Sequence, residues 1–122
     1  RDEHRTLIFY EAVHRVAATL AALVKAFGAE RRAAVARELT KIHEQIATGS
    51  LAELTARLGG DIPLLGEFVI VVAGAAAAAP DEAAARRVYA LLAQELDPAA
   101  ALRLTSAITG VARNELYRLV RT

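Results

Sequence analysis

The sequence predicts an α/β protein with a small mixed sheet flanked by helices, followed by a helical appendage. Three apolar runs indicate the strands, at Thr6–Tyr10, Ala33–Arg37 and Gly66–Gly74. Helical patterns fill the intervals between these runs, and only helical patterns follow the third run. We therefore place an α/β lobe at residues 1–78 and a helical extension at residues 79–122.

The first strand is followed by an amphipathic helix. Val16, Leu20 and Leu23 recur at the spacing of one helical face. Gly28 follows the last apolar residue of the pattern, and glycine is typical of a helix end. These signals predict a helix over residues 12–27.

A second helix is predicted over Leu51–Leu58. Ser50 is a preferred N-cap residue, and Glu53 follows it at the spacing of a capping box. Two successive glycines end the helical pattern. Between the second strand and this helix we expect an irregular or helical passage that ends at Gly49.

The helical extension is predicted to hold three short helices, because Asp97-Pro98 and Gly110 interrupt the pattern. Thr109-Gly110 lies where a helix-turn-helix motif has its turn, and the second helix of such a motif contacts nucleic acid. Covering the core and forming a dimer are alternative roles for that helix. Its polar residues that suit nucleic acid are Arg113, Asn114, Arg118 and Arg121.

Ionisable side chains are concentrated where the first two strands end. Five of them fall within Arg37–Glu44, and three fall within Glu11–Arg15. Open α/β folds form ligand crevices at the carboxyl ends of their strands. We expect the three predicted strands to end at one edge of the sheet and these groups to form a site there.

Five segments carry a resemblance to a known family: Tyr10–Arg15, Arg37–Glu44, Gly49–Leu51, Gly66–Phe68 and Asn114–Tyr117. Over nearly its whole length the chain resembles the second half of the ribosomal RNA small subunit methyltransferase I family, in the tetrapyrrole methylase superfamily. The resemblance implies an enzyme that uses S-adenosylmethionine to methylate a cytidine 2′-hydroxyl of 16S rRNA. It also implies the C-terminal lobe of a tetrapyrrole methylase-like fold and a homodimer that acts on the small ribosomal subunit.

By the same resemblance, the cofactor lies between two lobes, and this lobe contributes residues just past its strand ends. The glycine-rich cofactor loops of the superfamily belong to the first half, which has no counterpart in this sequence. We therefore expect a piece of a longer protein that is inactive alone. The S-adenosylmethionine-binding positions implied on this chain are Tyr10, Glu11, Ala12, Leu39 and Thr40.

Basic side chains near the strand ends are candidates for contact with RNA. Guanidinium groups and other cations bind phosphates and position a nucleic acid without reading its bases. Ion pairs and a solvated surface are the alternative roles for the same residues. The candidates are Arg15, Arg37, Lys41 and His43.

Glu38 and His43 are candidates for a general base, because a ribose hydroxyl loses its proton during methyl transfer. The sequence does not choose between them, and transfer from a sulfonium can depend largely on positioning of the reactants. We expect no metal site, since His43-Glu44 lacks the second histidine of a HExxH helix and His14 has no partner at ligand spacing.

Composition restricts the partners and the location. The net charge is +1, so contact with RNA has to come from a local cluster of charge. The absence of cysteine excludes disulfides and thiolate metal sites and fits a reducing compartment. The uncharged run over residues 68–80 is shorter than the ~20 residues of a spanning helix. We expect a cytoplasmic protein without a membrane partner.

Two other functions stay open at this point. One is a non-enzymatic module in which the helical extension binds RNA or a protein and the α/β lobe is a scaffold. The other is a methylase relative that acts on small tetrapyrroles, although Arg37–Lys41 and the helical extension resemble the RNA enzyme. The sequence upstream of residue 1 discriminates, because the enzyme needs the missing cofactor lobe there.

Overall fold

The computed structural model describes residues 5–74 and 82–120. The chain divides into two compact units, Arg1–Ala75 and Ala76–Thr122. The boundary that we placed between residues 78 and 79 lies outside the described residues.

The first unit contains four strands and two helices in its described part, and the second unit contains three helices. In chain order the elements are β1 (Leu7–Glu11), α1 (Val16–Phe27), β2 (Arg32–Arg37), β3 (Gln45–Ser50), α2 (Leu51–Arg57), β4 (Phe68–Val72), α3 (Glu82–Glu95), α4 (Pro98–Thr109) and α5 (Arg113–Val120).

The four strands form one sheet in the order β1-β4-β2-β3, which confirms the predicted α/β class. Each neighbouring pair of strands is antiparallel, although we predicted mixed strand directions. Because β1 and β2 are both antiparallel to β4, they run in the same direction and end at the same edge. The third predicted strand, β4, begins at that edge, so the expectation that it also ends there is wrong.

Strand β3 was not predicted. Of the irregular or helical passage expected up to Gly49, residues 38–44 form an irregular loop, whereas Gln45–Ser50 form a strand. Its sequence, Gln45 to Ser50, mixes apolar, polar and glycine residues without a continuous apolar run. Pairing with β2 in the register Arg37↔Gln45 to Arg32↔Ser50 provides the backbone partners for the strand. Tertiary pairing thus determines this strand more than intrinsic propensity does.

One face of the sheet packs against α1 and α2. Apolar residues of these helices and of the strands pack together in one cluster of buried side chains, which includes Phe68. Successive side chains of a strand point to opposite faces, so alternate strand residues reach this core. Its fully buried members include Val16, Leu20, Val35, Leu51, Leu54 and Ile70.

Helix α1 ends at Gly28 and helix α2 begins after Ser50, as the sequence predicts. The capping box is confirmed: Glu53 N–H donates to Ser50 Oγ at 3.1 Å, and Ser50 N–H donates to Glu53 Oε1 at 2.8 Å. Helix α1 begins at Val16 and not at residue 12, because Arg15 N–H bonds to Ala12 O at 2.9 Å in a preceding turn. This turn places Glu11 and Arg15 beside each other.

The second unit has the predicted breaks. Asp97 caps α4 by accepting a hydrogen bond from Ala99 N–H at 3.1 Å, and Gly110 ends α4 in the left-handed region at a φ of 81°. Leu116 of α5 is fully buried beside Ala85 of α3. The connection from α4 to α5 through Gly110 matches the predicted helix-turn-helix order.

Thr105 and Thr109 differ in the hydrogen bonding of their hydroxyl groups. Thr105 is fully buried, and among the described residues its Oγ1 has no hydrogen-bond partner. Thr109 Oγ1 donates to Thr105 O at 2.6 Å and accepts from Val111 N–H at 3.3 Å. A buried hydroxyl without a partner loses its hydration and gains nothing in return.

We predict that Thr105→Val raises the free energy of unfolding by about 1 kcal/mol, because a methyl group replaces the unpaired hydroxyl. Thr109→Val is the matched control, since it makes the same exchange in the same helix where the hydroxyl is bonded, and it should lower stability. Urea unfolding followed by circular dichroism measures both. A Thr105→Val variant less stable than the wild type would contradict the prediction.

Candidate functional site

The candidate site lies where β1 and β2 end and where β3 and β4 begin. The strand register aligns one residue of each strand in a row: Glu11, Phe68, Arg37 and Gln45. Neighbouring strands are about 4.8 Å apart, so the row is about 15 Å long. We call this row and the loops that adjoin it, residues 12–15, 38–44 and 58–67, the strand-end edge.

Arg15 provides the ion-pair partner of Glu11. Arg15 Nε lies 3.6 Å from Glu11 Oε1, and the Arg15 side chain remains 69% exposed. Arg37 is separated from Glu11 by the whole width of β4. The Arg15 guanidinium therefore combines a local ion pair with access to solvent.

Arg37 binds two neighbouring segments. Its Nε donates to Gln45 Oε1 at 3.4 Å, and its Nη1 donates to Leu65 O at 3.1 Å. Gln45 Nε2 in turn donates to Asp61 O at 2.8 Å. Arg37 and Gln45 thus hold the loop 58–67 against the ends of β2 and β3.

The loop 38–44 folds into successive hydrogen-bonded turns. Lys41 N–H donates to Glu38 O at 3.0 Å, Glu44 N–H donates to Lys41 O at 3.1 Å, and Thr40 N–H donates to Glu44 Oε1 at 2.6 Å. Glu38 and Thr40 have φ angles of 52° and 67°, which are uncommon for residues other than glycine. Such conformations cost about 1–3 kcal/mol each and are frequent at functional sites.

Lys41 lies between two carboxylates. Its Nζ is 3.5 Å from Glu38 Oε2 and 3.7 Å from Glu67 Oε1. The Lys41 side chain is 57% exposed and the Glu67 side chain is 84% exposed, so water screens both pairs. A phosphate could replace these weak contacts at low cost.

Apolar side chains are exposed in the same region. Ile42 at the tip of the loop 38–44 is 95% exposed, and Leu65 is 64% exposed. Tyr10, Val13 and Leu64 are also exposed large apolar residues. Exposed apolar side chains thus accompany the charged groups along this part of the sheet.

Comparison with known proteins agrees with this division into two units. Residues 79–120 match the model of the RsmI C-terminal HTH domain. A protein of Xylella fastidiosa is 50% identical over 117 residues, which are 94% of this chain and 43% of that protein. A protein of Pseudomonas aeruginosa is 46% identical over 122 residues, 97% of this chain and 43% of that protein. One of Mesorhizobium japonicum is 39% identical over 113 residues, 93% of this chain and 38% of that protein.

All three relatives are named ribosomal RNA small subunit methyltransferase I. By sequence, this chain is similar to proteins of that family. It corresponds to the C-terminal part of the relatives and spans less than half of their length, 43% in the Xylella and Pseudomonas proteins. The resemblance stated from the sequence is thereby confirmed.

The cofactor-binding positions implied by the family lie in two places on the strand-end edge. Tyr10, Glu11 and Ala12 are at the end of β1, whereas Leu39 and Thr40 are in the loop after β2. Strand β4 separates the two groups, since the sheet order is β1-β4-β2-β3. The two groups therefore lie on opposite sides of Phe68 along the same edge of the sheet.

The candidates for RNA contact differ in their surroundings. Arg15, Lys41 and His43 are exposed on the strand-end edge. Arg37 is partly buried and donates to Gln45 and Leu65. Of the two candidates for a general base, His43 is exposed and Glu38 is partly buried.

Sequence reasoning missed the residues that connect the loops of the edge. Gln45 was assigned to no element, and its bonds to Arg37 and Asp61 require the strand β3 that was not predicted. The backbone carbonyl of Leu65 carries no signal in the sequence. The Gly66-Glu67 pair was noted as the start of the third apolar run and as a part of the family resemblance, but its direct contact with Glu38 was not predicted.

Within residues 5–74 and 82–120, no three His, Cys, Asp or Glu side chains are grouped so that they could hold a metal ion. In the same ranges, none of the helices has the length and apolar character that crossing a membrane requires.

An ion pair between Arg57 and Asp61 fixes the turn that leads from α2 into the loop 58–67. Arg57 Nε lies 3.1 and 3.0 Å from the two carboxylate oxygens of Asp61, and its Nη2 lies 2.7 Å from Oδ2. The hydrogen bonds from Arg57 lower the pKa of Asp61, and the bond to Asp61 raises the pKa of Arg57. Since Asp61 O also accepts from Gln45, this turn is tied to β3.

We predict that Asp61 contributes to stability above about pH 4 and that this contribution is lost as the pH falls through its lowered folded-state pKa. The sign follows because the unfolded chain binds a proton at Asp61 more readily than the folded chain does. Unfolding midpoints of wild type and Asp61→Asn, measured from pH 7 to pH 2, test this. The difference between them should shrink on acidification. A difference that is constant over this range would contradict the prediction.

Proposed function

We propose that this chain is the C-terminal part of an S-adenosylmethionine-dependent enzyme that methylates a cytidine 2′-hydroxyl in 16S rRNA. One observation carries the proposal: relatives named ribosomal RNA small subunit methyltransferase I match 94% of the chain at 50% identity. The proposed activity is that of a longer protein, in which a further segment precedes this chain, as in those longer relatives.

The side chains of the strand-end edge suit the cofactor. An adenine ring needs apolar surface, and Tyr10, Leu64 and Leu65 offer it. The methionine portion carries one ammonium and one carboxylate group, and the edge carries both Glu11 and Arg15 as possible partners. When bound, S-adenosylmethionine supplies an electrophilic methyl group on sulfur.

The residues of this chain would then bind and orient the reactants. Backbone groups near Tyr10, Glu11 and Ala12 on one side and Leu39 and Thr40 on the other would position the cofactor. The ribose oxygen gains the methyl group and loses its proton, so a base or water has to take that proton. His43 is exposed on the same edge, and a nitrogen of its imidazole ring is the candidate acceptor of this proton.

The exposed cations of the edge would position the RNA. The side chains of Arg15 and Lys41 form solvent-screened ion pairs, so phosphates can compete for them. Arg37 uses two of its donors internally and keeps others for a phosphate. We also propose a homodimer in the cytoplasm, where the small ribosomal subunit is the partner.

We predict that deleting the gene that encodes this chain removes one cytidine 2′-O-methyl group from 16S rRNA of the source organism. The full gene should restore that group, whereas the 122-residue chain alone should not, because it provides only part of the proposed cofactor site. Mass mapping of ribose methylation measures both effects. The full gene with Arg15→Ala and Lys41→Ala should restore methylation less efficiently, because two phosphate contacts are lost.

An unchanged methylation pattern in the deletion strain would overturn this proposal. The non-enzymatic module would then be favoured, with the helix-turn-helix unit as its binding part. Restoration by the 122-residue chain alone would still support the proposed enzyme activity. It would contradict the expectation that this chain provides only part of the cofactor site.

A further inference from the structure

Glu38 extends the contact between β2 and β4 beyond the last paired residues. The register of these strands ends at Arg37↔Phe68. One residue further, Glu38 N–H donates to Glu67 O at 3.0 Å. Its left-handed backbone, with a φ of 52°, then directs the chain into the loop 38–44.

The Glu38 side chain returns to the same neighbour. Its Oε2 accepts a hydrogen bond from Glu67 N–H at 3.4 Å and lies 3.5 Å from Lys41 Nζ. Glu38 therefore binds Glu67 through its backbone and through its carboxylate. Lys41, three residues further along the loop, contacts both glutamates, since its Nζ also lies 3.7 Å from Glu67 Oε1.

Gly66 leaves the space that the Glu38 side chain occupies. A Cβ atom at residue 66 would lie 2.4 Å from Glu38 Cδ and 2.7 Å from both Cγ and Oε1. Such distances are far inside van der Waals contact, so a side chain at residue 66 would force the Glu38 side chain to move. Gly66 also has a φ of 82°, which disfavours other residues.

We propose that Glu38 is a positioning residue, which together with Gly66 and Glu67 fixes the loop 38–44 to the start of β4. The role of this contact in the reaction rests on the proposed function, because Leu39 and Thr40 of that loop are positions proposed to bind S-adenosylmethionine. Glu38 is then not the general base of the reaction. Its carboxylate is directed to Glu67 N–H and Lys41, and a base has to be directed to the ribose hydroxyl.

The first experiment measures the coupling between Glu38 and Gly66 in this chain. Unfolding midpoints are compared for the wild type, Glu38→Ala, Gly66→Ala and the double variant. We expect Gly66→Ala to lower the midpoint clearly in the wild type and less in the Glu38→Ala background, because the obstructing side chain is then absent. Additive effects would overturn the proposal.

Gly59→Ala is the matched control for the backbone effect. Gly59 has the same φ of 82° and belongs to the same loop, 58–67, but a Cβ there would meet only Leu64 Cδ1 at 3.9 Å. Gly59→Ala therefore reports the backbone strain without a collision, and its effect should not depend on Glu38. If Gly66→Ala is no more destabilising than Gly59→Ala, the contact with Glu38 does not have the proposed role.

The second experiment separates positioning from proton transfer in the full-length methyltransferase. Glu38→Gln keeps an oxygen that can accept from Glu67 N–H but cannot act as a base. We expect it to keep kcat within about threefold, and Glu38→Ala to raise the KM for S-adenosylmethionine about tenfold. A general base predicts a loss of kcat of about a hundredfold or more in both variants, with an altered pH profile, and that result would overturn the proposal.

The two experiments also distinguish this inference from the proposed function. A full-length wild-type protein that methylates no RNA would overturn the proposed function and, with it, the role of Glu38 in the reaction. The coupling measured by unfolding does not depend on any activity, so it still decides whether Glu38 and Gly66 fix the loop.

Discussion

The pairing of β2 on both of its sides determines the arrangement of the first unit. Strand β2 hydrogen-bonds to β4 on one side and to β3 on the other, and both pairings are antiparallel. Their registers meet at Arg37, which is opposite both Phe68 and Gln45. The three loops of the strand-end edge converge because these registers bring the corresponding strand termini into one row. A shift of β2 by one residue against both neighbours would turn the Arg37 side chain to the other face of the sheet.

Local signals in the sequence were sufficient for the helices and for three strands. Ser50 and Glu53 form the predicted capping box, and Gly110 ends α4 as expected. The polar clusters after β1 and β2 were also correctly assigned to strand ends, since a buried apolar run that changes to charged residues marks the end of a strand. Each of these features depends on a few neighbouring residues, so the sequence contains the information directly.

Features that depend on distant residues could not be predicted in the same way. The direction of β4 relative to β2 follows from how the connecting segments cross the sheet, and an apolar run such as Phe68–Val72 is compatible with either direction. Strand β3 exists because β2 offers backbone partners to a weakly apolar segment. The contact of Glu38 with Gly66 joins positions whose spacing in the sequence does not indicate a contact. In the folded chain, the absent Cβ and the φ of 82° together explain why glycine is needed there.

The position of β1 at the edge of the sheet affects the order in which this unit can form. Strand β1 pairs only with β4, and its register begins with Leu7 opposite Val72, near the far end of the unit. The hairpin of β2 and β3 closes a short loop and can form early, whereas β1 has to wait until β4 has been synthesised. During translation its apolar residues Leu7 and Phe9 lack the β4 members of their core cluster, Phe68, Ile70 and Val72, for that interval. The described sheet can therefore be completed only after β4 has left the ribosome, and until then β1 lacks its strand partner.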